Sequence, residues 1–249
     1  VREDTLNIDE TLVEAAITDR TKALVPVHYT GVGCAMSEIM ALAGQYGLRV
    51  IEDAAQAVGA TWEGQTLGGI GDLGCFSFHE TKNFISGEGG ALSVNDPALF
   101  ERAEIIREKG TNRSRFFRGE VDKYTWVDVG SSFLPSELIA AFLYAQFEEW
   151  DAIMRQRLAV WHRYDEAFAA LASTGRVRQP QIPAGAGHNA HMYYLLCADE
   201  AERAELIAYA GDRGIKLVFH YVPLHSSPKG GEVGLVSGDM RVTESLSAR

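Results

Sequence analysis

The sequence contains little cysteine and no long apolar segment, and these shortages exclude several classes of protein. Its three cysteines, Cys34, Cys75 and Cys197, are too few and too far apart for a disulfide framework or a paired-cysteine zinc site, which favours a reducing compartment. No apolar run approaches the roughly 20 residues of a membrane span, and the opening residues are charged where a signal peptide would be apolar. We therefore expect a soluble, cytoplasmic protein.

Positive charge is also scarce. The chain has 23 Lys and Arg residues against 34 Asp and Glu residues, which gives a formal net charge of −11. A chain with this charge repels nucleic acid and anionic membranes, so neither is an expected partner. Its 46% of hydrophobic residues, with glycine and proline spread along the chain, is typical of a folded protein of one large or two smaller domains.

The first half of the chain alternates between helix-like and strand-like segments. This alternation indicates βαβ units, and so an α/β fold with a mainly parallel central sheet flanked by helices. Helices are predicted at 9–17, 36–46 and 96–109, and strands at 22–27, 48–51, 75–78 and 91–94. Residues 110–130 have no periodicity and much charge, so a long loop is expected there.

The second half begins with two helical patterns and then changes character. Helices are predicted at 136–147, 151–171 and 200–213, with extended segments at 191–197 and 215–221. The change of pattern predicts a domain boundary near Gln146, so that 1–145 form the C-terminal portion of a larger domain and 146–249 a smaller α+β domain. Because the chain opens on Val1 and ends in a polar stretch, we expect a fragment.

One glycine motif, GIGDLG at 69–74, matches the pattern GxGxxG of dinucleotide-binding sites. In such sites the glycines follow a strand and open a helix, whereas here they precede the strand-like sequence CFSF. We therefore predict a glycine turn that leads into a strand, and a nicotinamide oxidoreductase is the rival hypothesis. The sequence has neither an HExxH pair nor a GxSxG elbow, so no metal site or hydrolase triad is expected.

Lys82 lies between a predicted strand end and the glycine cluster GEGG at 87–90. Glycines allow the backbone to approach a ligand closely, and Ser77 offers a hydroxyl five positions before the lysine. A lysine in such a loop can form a Schiff base with a carbonyl compound if its surroundings lower the pKa of the amine. The alternative is an ordinary solvated surface charge.

Asp53 ends the apolar strand predicted at 48–51 and is the second candidate. Two interpretations are open. The carboxylate can cap a helix, or it can keep a pyridine nitrogen protonated and so keep a pyridoxal ring electron-withdrawing. Gln56, three residues further on, can reach the same ligand.

Three motifs with fixed mutual spacing, DAAQ at 53–56, SFHETKN at 77–83 and GEGG at 87–90, resemble those of the pyridoxal-phosphate-dependent sugar aminotransferases of the DegT/DnrJ/EryC1 family. The resemblance extends from VPVHYTG at 25–31 to FHYVPLH at 219–225. It implies the fold of type I pyridoxal-phosphate enzymes and pyridoxal 5'-phosphate as the cofactor. The implied site residues are Lys82 as the lysine that binds the cofactor covalently and moves a proton, Asp53 at the ring nitrogen, Gln56 near the ring hydroxyl and Ser77 at the phosphate.

The chain departs from the family pattern at two places. Members commonly have an asparagine two residues after the glycine that corresponds to Gly130, from where it reaches the phosphate in the neighbouring subunit of a homodimer; here Ser132 takes that place. The family also has a Gly-Ser/Thr turn and a stacked aromatic residue near its N-terminus, and neither occurs here. Roughly a hundred residues, much of a domain, are therefore expected to be missing.

The expected substrate is a nucleotide sugar. Within the family, the tract at 110–143 resembles enzymes that transfer an amino group from glutamate to the 4-keto carbon of a dTDP-4-keto-6-deoxyhexose. The candidates for substrate contacts are Arg113, Arg115, Arg118, Lys123, His220 and Tyr221. The basic residues can bind a nucleotide diphosphate or form a solvated loop, and His220 and Tyr221 can face the substrate or pack in the core. The remaining hypothesis is a truncated chain that only binds a ligand or is inactive.

Overall fold

A computed structural model describes residues 1–249, and it contains seven short strands and eight α-helices. The strands are β1 (Ala23–Leu24), β2 (Arg49–Asp53), β3 (Thr61–Trp62), β4 (Gln65–Thr66), β5 (Leu73–Ser77), β6 (Gly90–Val94) and β7 (Ala186–Gly187). The helices are α1 (Met36–Tyr46), α2 (Phe100–Arg107), α3 (Arg113–Phe117), α4 (Glu137–Glu148), α5 (Trp150–Ala172), α6 (Glu200–Gly211), α7 (Pro228–Val233) and α8 (Arg241–Ala248). None of these helices combines the length and apolar character that crossing a bilayer requires.

The central sheet has the strand order β1-β2-β5-β6. β1 pairs with β2 and β2 pairs with β5 in parallel, whereas β6 runs antiparallel to β5. The predicted α/β fold with a mainly parallel sheet is thereby confirmed. A second, antiparallel sheet has the order β4-β3-β7, so that β7 from the second half of the chain pairs with a strand from the first.

The core lies between α1 and the central sheet. The predicted helix at 36–46 is confirmed, and its buried residues Met36, Ile39 and Ala43 recur at helical spacing on one face. They pack with Val50 of β2 in one hydrophobic cluster. Gly47 ends the helix with a left-handed φ of 62°, a conformation that glycine adopts without strain.

Two predicted elements near the N-terminus are shorter than expected. The helix predicted at 9–17 is two single 3-10 turns, Glu10–Leu12 and Glu14–Ala16, with Asp9 as the cap of the first. Because Val13 is the one buried side chain in this stretch, packing does not support a longer helix. The strand predicted at 22–27 is reduced to β1, since Pro26 has no N–H to donate to a ladder.

The later predictions also need correction. The loop predicted at 110–130 contains the five-residue helix α3, which lies against α2. The segments 191–197 and 215–221 form no strand; apart from an isolated bridge between Arg178 and Leu196 they have no pairing partner, and His220 and Tyr221 are therefore not at a strand end. Helix α4 runs through Gln146, and the domain boundary there stays a prediction.

The buried carboxylate of Glu52 joins three segments of the first half. Glu52 is fully buried in β2, and its oxygens accept the N–H groups of Gly68, Ile70 and Gly71, each at 2.7 Å. The fourth donor is Nε2 of the buried His28, at 3.0 Å, because Nδ1 of that ring accepts the N–H of Cys34. Burial alone would raise the pKa of Glu52, but these hydrogen bonds outweigh it and hold the pKa below its usual value.

The same contacts explain the glycine motif. GIGDLG forms a turn that leads into β5, as predicted, and its N–H groups bind Glu52. A dinucleotide phosphate would need those donors. The structure therefore does not support the nicotinamide hypothesis.

Replacing Glu52 by glutamine tests this network. The amide would turn one oxygen into a donor that faces other donors, so we expect Glu52→Gln to lower the free energy of unfolding by roughly 3 kcal/mol, measured by urea denaturation. Because the folded pKa is depressed, the carboxylate stabilises the fold above its unfolded pKa of about 4.3, and this contribution is lost as pH falls through the folded pKa.

The matched control is Glu63→Gln. Glu63 is exposed and accepts one hydroxyl, that of Ser37. This variant is expected to remain within about 0.5 kcal/mol of the parent. Equal stabilities of the two variants at pH 7 would contradict a central role for the buried carboxylate.

Candidate active site

Asp53 and Lys82 lie at or just beyond the carboxyl ends of two neighbouring parallel strands. Asp53 is the last residue of β2 and lies opposite Cys75 of β5, and Lys82 lies in the connection that leaves β5. Ligands of open α/β sheets bind at this edge. Burial lowers the pKa of Lys82, while the Asp53 carboxylate acts in the opposite direction without cancelling the effect. The lysine is therefore a better nucleophile than a solvated one.

The connection that carries Lys82, residues 78–89, joins the antiparallel strands β5 and β6, and its own hydrogen bonds hold it closed as a hairpin. Phe78 donates to the carbonyl of Gly89 at 2.9 Å, and Ser86 donates back to the carbonyl of Phe78 at 2.7 Å. A Cβ at Gly90 would come 2.7 Å from the carbonyl oxygen of Phe76, and Gly87 has a φ of 82°. The glycines of GEGG thus allow β5 and β6 to come close together. That these glycines also allow the backbone to approach a ligand stays a prediction.

Aromatic packing fixes the hairpin to the helices. Phe84, two residues after Lys82, is fully buried, and its ring stacks on Trp150 of α5 with a centroid distance of 4.3 Å. Phe147 of α4 lies 5.5 Å from the same ring. This cluster restricts the backbone beside the lysine.

Buried amides connect the Lys82 hairpin to the loop that carries Gln56. Asn83 donates through Nδ2 to the carbonyl of Asn189 at 2.7 Å, and Asn189 donates to the carbonyls of Gln56 and Val58, both at 2.9 Å. Asn189 has no exposed surface. The side chain of Gln56 accepts the N–H of Thr30 at 2.6 Å. The amides therefore join two of the predicted site segments.

Two histidines from the second half of the chain lie close enough to Lys82 for its charge to lower their pKa values. Burial and the charge of Lys82 lower the pKa of His220, and burial, Lys82, Arg157 and His220 lower the pKa of His191 to about 3. The hydroxyl of Tyr29, whose pKa burial raises to about 12, pairs with Nδ1 of His220. The structure thus places His220 near Lys82, whereas Tyr221 is 66% exposed, and a substrate contact of either residue stays a prediction.

Tyr29, Asn189 and His191 could not be recognised from the sequence as neighbours of the site. They lie far along the chain from Lys82, and Asn189 and Asn83 are 106 positions apart. The one local signal is the polar run HNAH at 188–191 inside an extended segment. Polar side chains in such a run need partners when buried, but the sequence does not indicate which.

The two serine candidates are placed differently. Ser77 lies at the end of β5, and its hydroxyl has one contact, with the N–H of His79 at 3.4 Å. Ser132 is exposed in a segment that pairs with the end of α2. No hydrogen bond joins Ser132 to Lys82, Asp53 or Ser77, and both phosphate assignments stay predictions.

Two members of the basic cluster form ion pairs with carboxylates, and the other two do not. Arg115 pairs with Glu101 and Glu120, and Arg118 pairs with Glu104 and Glu120. Arg113 and Lys123 have no carboxylate partner. Arg113 lies over the ring of Phe117 at 5.0 Å, and its buried Nε has no hydrogen-bond partner. Arg113 is therefore the member of this cluster whose guanidinium is free to bind an anion.

Solved structures with the same fold define the class of the protein. An aminotransferase of the DegT/DnrJ/EryC1/StrS type from Brucella abortus superposes with a TM-score of 0.87 and 29% identity over 100% of this chain and 65% of its own. The Streptomyces venezuelae protein DesV, solved with a ketimine intermediate, superposes with a TM-score of 0.84 and 32% identity over 99% of this chain and 63% of its own.

The chain belongs to the DegT/DnrJ/EryC1/StrS aminotransferase family, whose model matches residues 1–249. GDP-perosamine synthase of Caulobacter vibrioides is 34% identical to it over 246 residues, which are 96% of this chain and 62% of the synthase. The chain thus spans about three fifths of the length of such relatives.

Asn189 allows a direct test of the amide network. In Asn189→Ala the carbonyls of Gln56 and Val58 lose their donor, so we expect a loss of roughly 2–4 kcal/mol in the free energy of unfolding, measured by urea denaturation. Gln45→Ala is the control, because Gln45 is exposed and makes one hydrogen bond of 3.3 Å to Glu14. If both variants unfold at the same urea concentration, the network does not stabilise the site.

Proposed function

We propose that this chain is part of a pyridoxal-phosphate-dependent aminotransferase that acts on a nucleotide sugar. The observation that carries the proposal is the pair of Lys82 and Asp53 at the carboxyl ends of β5 and β2, with a depressed lysine pKa. Membership of the aminotransferase family supports the same activity.

The residues present fit the cofactor. The amine of Lys82 has no carboxylate within ion-pairing distance, so it is available to a carbonyl. Oδ1 of Asp53 accepts a hydrogen bond from the N–H of Ala55 at 3.1 Å and so caps a turn. Oδ2 has no protein partner and can accept a hydrogen bond from a protonated ring nitrogen. The capping and the functional interpretations of Asp53 are therefore compatible.

When bound, pyridoxal phosphate supplies a carbonyl that condenses with amines and a ring that withdraws electrons. Nζ of Lys82 would hold the cofactor and would also move a proton between the α-carbon of the amino donor and the cofactor. Asp53 keeps a proton on the ring nitrogen. Gln56 and Ser77 orient the ring and the phosphate.

The proposed substrate is a dTDP-4-keto-6-deoxyhexose and the proposed amino donor is glutamate, as in the formation of dTDP-4-amino-4,6-dideoxygalactose for enterobacterial common antigen or another cell-surface polysaccharide. The tract at 110–143 supports this choice. Relatives carry other names, among them a dTDP-3-amino-3,4,6-trideoxy-alpha-D-glucose transaminase of Streptomyces venezuelae that is 34% identical over 228 residues. The functional form is proposed to be a homodimer in which Ser132 faces the partner's phosphate site.

Lys82→Ala in the full-length protein tests the assignment. We expect turnover to fall by at least about 10²–10⁴-fold, since the variant lacks both the covalent link and the proton carrier. Borohydride reduction should attach pyridoxal phosphate to Lys82 in the parent and to no residue in the variant, as measured by peptide mass spectrometry.

Lys216→Ala is the matched control, because Lys216 is exposed and forms no ion pair. It should keep parental turnover and labelling. A Lys82→Ala variant with parental turnover would exclude Lys82 as the cofactor lysine.

Arg113→Ala tests the proposed diphosphate contact. Because its guanidinium lacks an acidic partner, we expect KM for the nucleotide sugar to rise about tenfold, the equivalent of one charge-assisted hydrogen bond, with the glutamate half-reaction unchanged. Steady-state kinetics measures the first quantity and single-turnover absorbance the second.

Arg241→Ala is the control, since Arg241 lies on the surface helix α8 and pairs with Asp239. Its KM should equal that of the parent. A parental KM in Arg113→Ala as well would mean that Arg113 does not bind the diphosphate.

A further inference from the structure

His191 is held by hydrogen bonds at three of its four polar atoms. Its N–H donates to Oδ1 of Asn189 at 3.0 Å, and its carbonyl accepts Nη2 of Arg157 at 2.7 Å. Its ring nitrogen Nδ1 lies 3.0 Å from Oδ1 of Asn83. Only Nε2 has no protein partner. The backbone and the ring of His191 are therefore both held in place by hydrogen bonds.

The network fixes which ring nitrogen carries the proton. The carbonyl of Asn189 can only accept, so the amide of Asn83 must turn Nδ2 toward it, at 2.7 Å. Oδ1 of Asn83 then faces His191 and can only accept. Nδ1 of His191 must therefore be the donor, and Nε2 carries a lone pair.

The ring is uncharged at neutral pH. His191 is half-buried, and the charged or titratable groups that act on it are Lys82, Arg157 and His220, all of them basic. Burial and these groups together bring its pKa to about 3. One tautomer is therefore maintained over the whole physiological range, and the bond to Asn83 does not depend on pH there.

Asn83 transmits this constraint to the lysine. It follows Lys82 directly and is 7% exposed, so both ends of its amide are used inside the protein. Through Asn189 the same network reaches the carbonyl of Gln56. The position of Lys82 relative to the Gln56 loop thus depends on a donor supplied by His191.

We propose that His191 is a positioning residue for Lys82: its Nδ1–H orients the Asn83 amide, and that amide fixes the lysine hairpin against the Gln56 loop. The inference rests on the proposed role of Lys82 in holding pyridoxal phosphate. In this role His191 acts on the lysine through Asn83.

Three substitutions in the full-length protein separate the two ring nitrogens. Asparagine places an N–H near the position of Nδ1, glutamine reaches only the position of Nε2, and leucine removes both. His188→Leu is the matched control, because His188 is half-buried in the same segment and packs on Trp161 at 4.5 Å without touching the lysine hairpin.

The affinity for added pyridoxal phosphate is measured by absorbance titration, and hydrogen exchange is followed in the peptide that spans 79–86. For His191→Leu we expect about tenfold weaker binding and about tenfold faster exchange, the equivalent of one buried hydrogen bond. His191→Asn should return both quantities to within about twofold of the parent, and His188→Leu should leave both unchanged even if its melting temperature falls.

His191→Gln should behave like His191→Leu, and it replaces the leucine variant if that one does not fold. Rescue by glutamine instead of asparagine would overturn the proposal and assign the role to Nε2. Equal effects of His191→Leu and His188→Leu would also overturn it. If the parent itself does not bind pyridoxal phosphate, the proposed function fails, and the exchange rates still decide whether His191 fixes the hairpin.

Discussion

The buried carboxylate of Glu52 is the contact on which the geometry of the site depends. Its four donors come from two segments that are separate in the chain, the stretch at His28 and the glycine turn, and they tie both segments to the strand that contains Glu52. A buried carboxylate with fewer donors would be costly, so the turn must close on β2. The turn leads directly into β5, and β5 leads to Lys82. The buried Glu52 therefore helps to set where Asp53 and Lys82 lie relative to each other at the edge of the sheet.

The parts of the fold that could be predicted are those that local physics decides. The helix at 36–46 has apolar residues at helical spacing and a glycine at its end, and the structure has the same bounds. The candidates Asp53 and Lys82 could be proposed because parallel strands bring their carboxyl ends to one edge. The direction of β6 could not be predicted, because a run such as ALSV has the same pattern in either orientation.

The parts that could not be predicted depend on partners far away in the chain. The segments 191–197 and 215–221 look like strands from their composition, but a strand also needs a partner strand, and the single bridge between Arg178 and Leu196 does not supply one. The amide network was missed for the same reason: Asn83, Asn189 and His191 are ordinary polar residues until the fold brings them together. Once buried, their donors and acceptors must find partners inside the protein, and they find them in one another and in the carbonyls of Gln56 and Val58.

The electrostatics of the site follow from where the histidines are buried. His191 and His220 would add positive charge beside Lys82 if they were protonated, and this would depress the lysine pKa further. Burial lowers the pKa of both rings, so His191 is neutral and His220 titrates below its usual range. The charge next to the lysine then comes mainly from Asp53, which favours the protonated amine, against burial, which disfavours it. The balance between one carboxylate and one desolvated amine therefore sets the protonation of Lys82, and a change of pH above neutrality acts on the lysine itself and not on its histidine neighbours.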